Sequence, residues 1–191
     1  YRFEVGGDVA LTCGAGLFAQ YSANIYNMVL AFKEHETWTI TWENVASGIC
    51  WSLYQVSSVV GCPDPNTLRV VSVAFAQDIN QSKTIAIWRG HNGIYVSDGR
   101  TPLYVSKQIE NVFDPYKTPH INTAVPTSGF VDHHRAEYHW EWASGSNTTY
   151  DKEYVLDLRR WKWFEIDRAS GKYIQCGVNV SDILGNNYTY G

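Results

Sequence analysis

The stretch YVLDLRRWKWFEI, residues 154–166, decides the fold class because its apolar side chains alternate along the chain. Tyr154, Leu156 and Leu158 share one face of an extended segment, which has a side-chain period of two. The pair Arg159-Arg160 interrupts the alternation, and aromatic and branched side chains resume it afterwards. Part of the stretch also fits helical spacing, but Val, Trp, Phe and Ile favour strands. The stretch therefore predicts a β-hairpin.

The same pattern, two apolar alternating segments around a polar break, recurs along the chain. It is found in NMVLAFKEHETWTITW (27–42), in RVVSVAF with KTIAIWRG (69–75 and 83–90), and in GIYVSDGRTPLYVS (93–106). In the last of these, Asp98-Gly99 is a strong hairpin signal because glycine adopts positive φ without strain. We expect the chain to turn there and to be built from successive hairpins.

Composition agrees with an all-β fold. Aromatic residues make up 15% of the 191 residues, with 8 Trp and 13 Tyr, and 15 glycines supply turn positions. No linker divides the sequence, so we expect a single domain over 1–191, and the strand-like ends predict truncation from a longer chain. The net charge of −4 disfavours a general nucleic-acid binder. No apolar run approaches the roughly 18 residues of a membrane span.

The cysteines and glycosylation motifs carry little functional signal. The cysteines are Cys13, Cys50, Cys62 and Cys176, and they lack zinc-site spacing. Two disulfides are conceivable, but a domain of this size folds without them, so we expect free buried thiols. The N-x-S/T motifs at Asn80, Asn147, Asn179 and Asn187 keep a secreted glycoprotein interaction domain as one hypothesis.

The densest polar segment is FVDHHRAEYHWEWA, residues 130–143. Its histidines, His133, His134 and His139, suggest a metal site at first sight. However, charged and aromatic side chains alternate there, which is typical of a half-buried strand with cross-strand ion pairs. A glycosidase needs two facing carboxylates, and Asp132, Glu137, Asp157 and Glu165 are available without any spacing that pairs them. We therefore predict no catalytic, cofactor-binding or metal-binding residues, no cofactor and no enzymatic activity.

Residues 51–113 carry a more specific series of motifs. In order, these are Gly61-Cys62 with Pro63 and Pro65, two strand-like segments, Gly-Ile-Tyr-x-x-Asp-Gly at 93–99, and SKQIENVF at 106–113, a short predicted helix. This order resembles the blade pattern of β-propeller virion proteins of tailed bacteriophages, of the tail hub, nozzle and neck type. AEYHWEWASGSNTTYDKEYVLDLRRWKWFEID (136–167) resembles a following blade.

The resemblance implies a fold of antiparallel four-stranded blades, about four blade-like units with little helix, forming part of a propeller. It implies a structural component of a phage tail hub, nozzle or head–tail connector ring, acting as a rigid assembly platform. The implied partners are further copies in a homo-oligomeric ring, other tail or neck proteins, and DNA passing through the ring. The implied location is the virion, assembled in the cytoplasm of the bacterial host.

Two further expectations concern surfaces. On the structural hypothesis, contacts with neighbouring subunits should concentrate in the polar loops KEHE (33–36), AQDINQS (76–82) and SGSNTTYDK (144–152). The alternative is a carbohydrate-binding or glycan-cleaving propeller module, because exposed Trp and Tyr stack on sugars. The exposure of Trp38, Trp140, Trp142, Trp161 and Trp163 discriminates between these hypotheses.

Overall fold

Almost all of the regular secondary structure in the described residues is antiparallel β-strand. A computed structural model describes residues 4–21, 24–45, 48–74, 81–168, 172–174, 176–182 and 187–190. The strands are β1 (Cys13–Tyr21), β2 (Asn24–Phe32), β3 (Thr37–Val45), β4 (Gly48–Ser57), β5 (Arg69–Ala74), β6 (Gln81–Gly90), β7 (Gly93–Ser97), β8 (Leu103–Tyr104), β9 (Ser128–Asp132), β10 (Glu137–Trp142), β11 (Lys152–Asp157), β12 (Lys162–Ile166), β13 (Val178–Ser181) and β14 (Asn187–Tyr190). Short 3-10 helices occupy Pro65–Thr67 and Lys107–Phe113, and the latter confirms the helix predicted for SKQIENVF.

Consecutive strands pair with each other in three four-stranded meanders, β1–β4, β5–β8 and β9–β12. The first two meanders join where the end of β1 pairs with the start of β6, with Ala19 opposite Lys83 and Tyr21 opposite Gln81. Together they form one eight-stranded sheet. β13 and β14 form a separate hairpin. The predicted all-β class is confirmed, and each of these sheets is open in the described part of the chain.

Contacts along the chain define two compact units, Tyr1–Tyr104 and Val105–Gly191. The expectation of a single domain stays a prediction. In the first unit, the core contains Leu17, Leu30, Phe32, Cys62, Ala86 and Trp88. The rings of Phe32 and Trp88 pack with centroids 4.7 Å apart, so β2 and β6 are held through aromatic contact.

The core of the second unit is a stack of aromatic side chains on the β9–β12 sheet. The rings of Trp140 and Trp142 stack with centroids 5.6 Å apart, and Tyr154 lies 5.8 Å from Trp142. Phe113, from the 3-10 helix, stacks on Trp140 at 5.4 Å. Because such large rings bury much area, this face fixes the sheet against the segment that precedes it.

The predicted hairpins are present. YVLDLRRWKWFEI turns between β11 and β12, although Trp161 lies in the turn with φ of 56° rather than in the second strand. The carboxylate of Asp157 closes this turn by accepting bonds from the backbone N–H groups of Arg159 (2.8 Å) and Arg160 (3.1 Å). GIYVSDGRTPLYVS turns at Asp98-Gly99 as predicted, and Gly99 has φ of +99°. Most of AQDINQS, residues 76–80, lies outside the described residues.

Candidate functional sites

The outer strand of the first unit, β4, presents an open edge. β4 is 10 residues long and pairs with β3 on one side, and no described strand pairs with its other side. Trp51 is 43% exposed and Tyr54 is 57% exposed. Long edge strands with exposed apolar side chains are templates for pairing with another chain. This surface, the β4 edge, is therefore a candidate protein-binding site.

The second candidate is a buried charge cluster on the other face of the β9–β12 sheet from the aromatic core, formed by His139, Glu141, Glu153 and Arg168. Glu141 and Glu153 are directly opposite each other on β10 and β11, and the side chains of both are inaccessible to solvent. His139 Nδ1 lies 2.7 Å from Glu153 Oε1. Phe130 stacks on the His139 ring at 4.4 Å, which covers the imidazole. The imidazole and the two carboxyl groups are thus shielded from solvent, whereas the Arg168 side chain is 29% exposed.

The pKa values of the two buried carboxyl groups are shifted in opposite directions, because the groups have different hydrogen-bond partners. Arg168 donates to both oxygens of Glu153, through Nε and, at 3.0 Å, through Nη2. Burial acts to raise the pKa of Glu153, but the bonds from His139 and Arg168 outweigh it, and the pKa is lowered. Among the described residues, Glu141 accepts only the backbone N–H of Ile174, at 3.0 Å, and its Oε2 has no hydrogen-bond partner there. Burial, followed by repulsion from Glu153, raises the pKa of Glu141 to about 8.

This carboxyl pair has the asymmetry of an acid–base pair but not its accessibility. One carboxyl group is held protonated at neutral pH and the other ionised, as in glycosidases. However, a substrate must reach both groups, and both side chains are fully buried. The cluster therefore acts as an internal polar network of the second unit.

The third candidate, the turn cluster, consists of Glu34, His35 and His91. Glu34 and His35 belong to the β2–β3 turn and His91 to the β6–β7 turn. One ligand-capable atom from each lies within 4.8 Å of the others. The two imidazole rings stack with centroids 4.5 Å apart and an interplanar angle of 20°. Desolvation, with His35 and Arg89 nearby, lowers the pKa of His91 despite the opposing charges of Glu34 and Asp64.

The predicted polar segment 130–143 has a different arrangement from that expected. His133 and His134 are exposed in the turn between β9 and β10, whereas His139 is 5% exposed inside the buried charge cluster. A cross-strand contact in this segment links His139 Nδ1 to Glu153 Oε1 at 2.7 Å. The expectation of a half-buried strand is wrong, because Phe130 and Arg168 cover the charged face.

The four carboxylates considered for a glycosidase pair have other partners. Asp132 and Asp157 each accept two backbone N–H bonds that close a hairpin turn. Glu165 accepts a bond from Lys152 Nζ at 2.6 Å, and Glu137 lies 3.5 Å from His139 Nε2. The sequence does not predict that Glu141 and Glu153 form a pair. Both lie on strands, but alternation within one strand does not show which residues of two strands are opposite each other.

The tryptophans are divided between core and surface. Trp140 and Trp142 are fully buried, Trp38 and Trp163 are half-buried, and Trp161 is 37% exposed. Trp163 also donates from Nε1 to the Val105 carbonyl at 2.8 Å. Most of the side chains that a sugar surface would use are thus engaged in packing.

All four cysteines are free, as predicted, but Cys50 and Cys176 are exposed, so the expectation that all are buried is wrong. Cys13 and Cys62 interact through their thiols, which lowers the pKa of Cys13 and raises that of Cys62. This contact places the start of β1 beside the segment that follows β4.

No protein-family model matches the sequence, and no curated protein is significantly similar to it. Among the helices in the described residues, none is long and apolar enough to cross a membrane.

Proposed function

We propose that this chain is a structural component of a tailed-phage virion, a rigid β-sheet platform that assembles with further copies of itself in a tail hub, nozzle or connector ring. The observation that carries the assembly role is the β4 edge, with its open strand and exposed Trp51 and Tyr54. The assignment to a virion rests on the sequence resemblance. No catalytic step is part of the proposal.

Three consecutive four-stranded meanders support a propeller-like architecture, because this is the strand order within propeller blades. The β9–β12 sheet fits a blade most simply, since its strands pair in chain order and form a sheet of their own. The joining of β1 to β6 is a departure from the separate blades of a propeller.

The occupant that we propose for the β4 edge is a second copy of the chain. An added strand satisfies the N–H and C=O groups of the edge, and the aromatic side chains bury area on association. Where the edge of one copy meets a different surface of the next, the copies form a ring if the rotation between neighbours closes. Assembly through β4 differs from the prediction that polar loops make the contacts.

The test is sedimentation velocity of the wild type and of Trp51→Lys/Tyr54→Lys. We expect a discrete oligomer for the wild type and a monomer with unchanged circular dichroism for the variant. Tyr116→Lys is the matched control, because Tyr116 is 94% exposed in a loop and its loss should leave the oligomer intact. A wild type that stays monomeric at all concentrations would refute assembly through β4.

Location in the virion requires a separate measurement, the detection of this chain in purified phage particles as a repeat around a symmetry axis. The alternative, a carbohydrate-binding module, predicts instead that a monomer binds glycans and loses binding on Trp51→Ala or Trp161→Ala, the two exposed tryptophans. Glycan binding by a monomer would favour that alternative over the proposed role.

A further inference from the structure

We propose that Glu34, His35 and His91 form a binding site for a divalent transition-metal ion, and that Zn²⁺ is the ion that fits them. Two imidazoles with one carboxylate form a known set of protein ligands for zinc, with the fourth position open to water or another ligand. This site is distinct from the β4 edge and does not depend on the proposed assembly.

The distances between the ligand atoms are close to those of a tetrahedral site. Glu34 Oε1 lies 3.6 Å from His91 Nε2 and 3.8 Å from His35 Nε2. With bonds of about 2.0–2.1 Å to the metal, neighbouring ligand atoms of a tetrahedral zinc site are about 3.4 Å apart. The ligand atoms of His35 and His91 lie within 4.8 Å of each other, and the two stacked imidazoles must rotate for their nitrogens to converge on one ion.

The side chains have room for those rotations. The exposed fractions are 57% for Glu34, 64% for His35 and 40% for His91. Both Glu34–histidine distances are too long for strong hydrogen bonds, so no tight ion pair must be broken first. The carboxylate therefore stands between two imidazole nitrogens that are available to a metal ion.

The backbone that carries these side chains is held firmly. Lys33 N donates to the Glu36 carbonyl at 2.9 Å within the β2–β3 turn, and Cys62 N donates to the Lys33 carbonyl at 2.9 Å. A Cβ on Gly61 would lie 2.2 Å from the Lys33 carbonyl oxygen, so a glycine is needed for this close approach.

The same glycine also lies against the second turn. Trp88 Nε1 donates to the Gly61 carbonyl at 3.1 Å, and a Cβ on Gly90, where the β6–β7 turn begins, would lie 3.4 Å from that oxygen. Gly61 thus lies between the two turns and fixes their separation. The backbone beneath the ligand set is therefore ordered before an ion binds, and binding costs mainly the rotamer freedom of the three side chains.

Neighbouring cations are already neutralised. Lys33 Nζ bonds to the Gly6 carbonyl and lies 3.6 Å from Glu36 Oε2. Arg89 Nη1 contacts Asp64 Oδ2 at 3.0 Å. Each positive charge near the turn cluster therefore has its own carboxylate, and repulsion of a divalent ion is reduced.

The test is calorimetric titration of the chelator-treated full chain with Zn²⁺, followed by the same titration of His91→Ala, His35→Ala and Glu34→Gln. We expect one Zn²⁺ site per chain in the wild type and a weakening of roughly 10-fold or more in each histidine variant. Circular dichroism verifies the fold of each variant, and Glu34→Gln provides a variant that keeps the side-chain shape.

Two matched controls exclude other ligands. His133→Ala/His134→Ala removes two exposed histidines from another turn, and Cys50→Ser/Cys176→Ser removes the exposed thiols. Both should bind Zn²⁺ as tightly as the wild type, and Mg²⁺ should not compete because it prefers oxygen ligands. The proposal is overturned if the wild type binds no Zn²⁺, if removing His35 or His91 leaves the affinity unchanged, or if either control abolishes binding.

Discussion

The buried charge cluster and the turn cluster contain the same kinds of side chain in opposite surroundings. In the first, His139 and Glu153 are within hydrogen-bonding distance at 2.7 Å and are shielded from solvent. In the second, Glu34 lies 3.6 Å from His91, and both are well exposed. The side chains of the buried charge cluster connect neighbouring strands, whereas those of the turn cluster are accessible to a ligand. Burial, rather than residue type, distinguishes the structural group from the candidate binding group.

The largest loss of stability is expected when Glu153 is substituted. Glu153→Gln removes the charge that compensates Arg168 and contacts His139 in a fully buried position. We expect the free energy of unfolding to fall by about 3 kcal/mol, as when one partner of a buried pair is removed. Urea denaturation measures this change.

The matched control is Glu165→Gln, because Glu165 pairs with Lys152 at the surface of the same sheet, where both are partly exposed. Exposed pairs contribute about 0–1 kcal/mol, so this variant should be nearly as stable as the wild type. Equal losses in the two variants would show that the buried charge cluster has no special structural role.

The next largest effect is the dependence of stability on pH that Glu141 causes. Burial and the charge of Glu153 raise the pKa of Glu141 in the folded chain from 4.5 to about 8. Between these values the folded chain binds more protons than the unfolded chain, so this group makes stability fall as pH rises. The slope is at most about 1.4 kcal/mol per pH unit for one proton.

Glu141→Gln removes that titration and retains an oxygen for the Ile174 N–H. We expect the variant to match the wild type near pH 5 and to exceed its stability by about 2.5 kcal/mol near pH 7. The measurement is urea denaturation at a series of pH values. Parallel pH profiles for the two proteins would contradict a raised pKa at Glu141.

A smaller effect is expected at Arg168, which donates to both oxygens of Glu153. Arg168→Lys keeps the charge but loses the two-point contact, and we expect a loss of about 1 kcal/mol in stability. Arg160→Lys is the control, since Arg160 is exposed and contacts Asp157 at 3.7 Å. If Arg168→Lys is as stable as the wild type, charge alone is sufficient to compensate Glu153.

Much of the strand pattern could be predicted from the sequence, because period-two alternation and turn chemistry are local. The hairpins at 154–166 and 93–106 are present for that reason. The turn position of Trp161 was missed because the carboxylate of Asp157 closes a four-residue loop before β12 begins. An aspartate at the end of a strand is a turn signal that alternation alone overlooks.

The candidate sites depend on contacts between distant segments, so the sequence predicted them poorly. The polar face of β10 is covered by contacts from other segments: Phe130 stacks on His139, Ile174 contacts Glu141, and Arg168, from beyond β12, contacts Glu153. His35 and His91 stack where Gly61 contacts both the β2–β3 turn and Gly90, so their contact depends on two different hairpins. The sequence predicts KEHE to be a polar contact loop, because no second histidine lies near His35 in the sequence to indicate a site.

The smallest change in stability is expected at Glu34, and it tests directly whether the turn cluster differs from the buried charge cluster. Glu34→Gln in the presence of a chelator should leave the free energy of unfolding within about 0.5 kcal/mol of the wild type, because Glu34 is exposed and compensates no buried charge. Glu36→Ala in the same turn should lower the free energy of unfolding more, since Glu36 accepts a bond from Trp38 Nε1 at 2.9 Å and lies 3.6 Å from buried Lys33.

With Zn²⁺ added, the thermal midpoint should rise for the wild type and much less for Glu34→Gln, because a ligand that binds only the folded state stabilises it. A large loss for Glu34→Gln without metal would mean that the turn cluster, like the buried one, is a structural ion network.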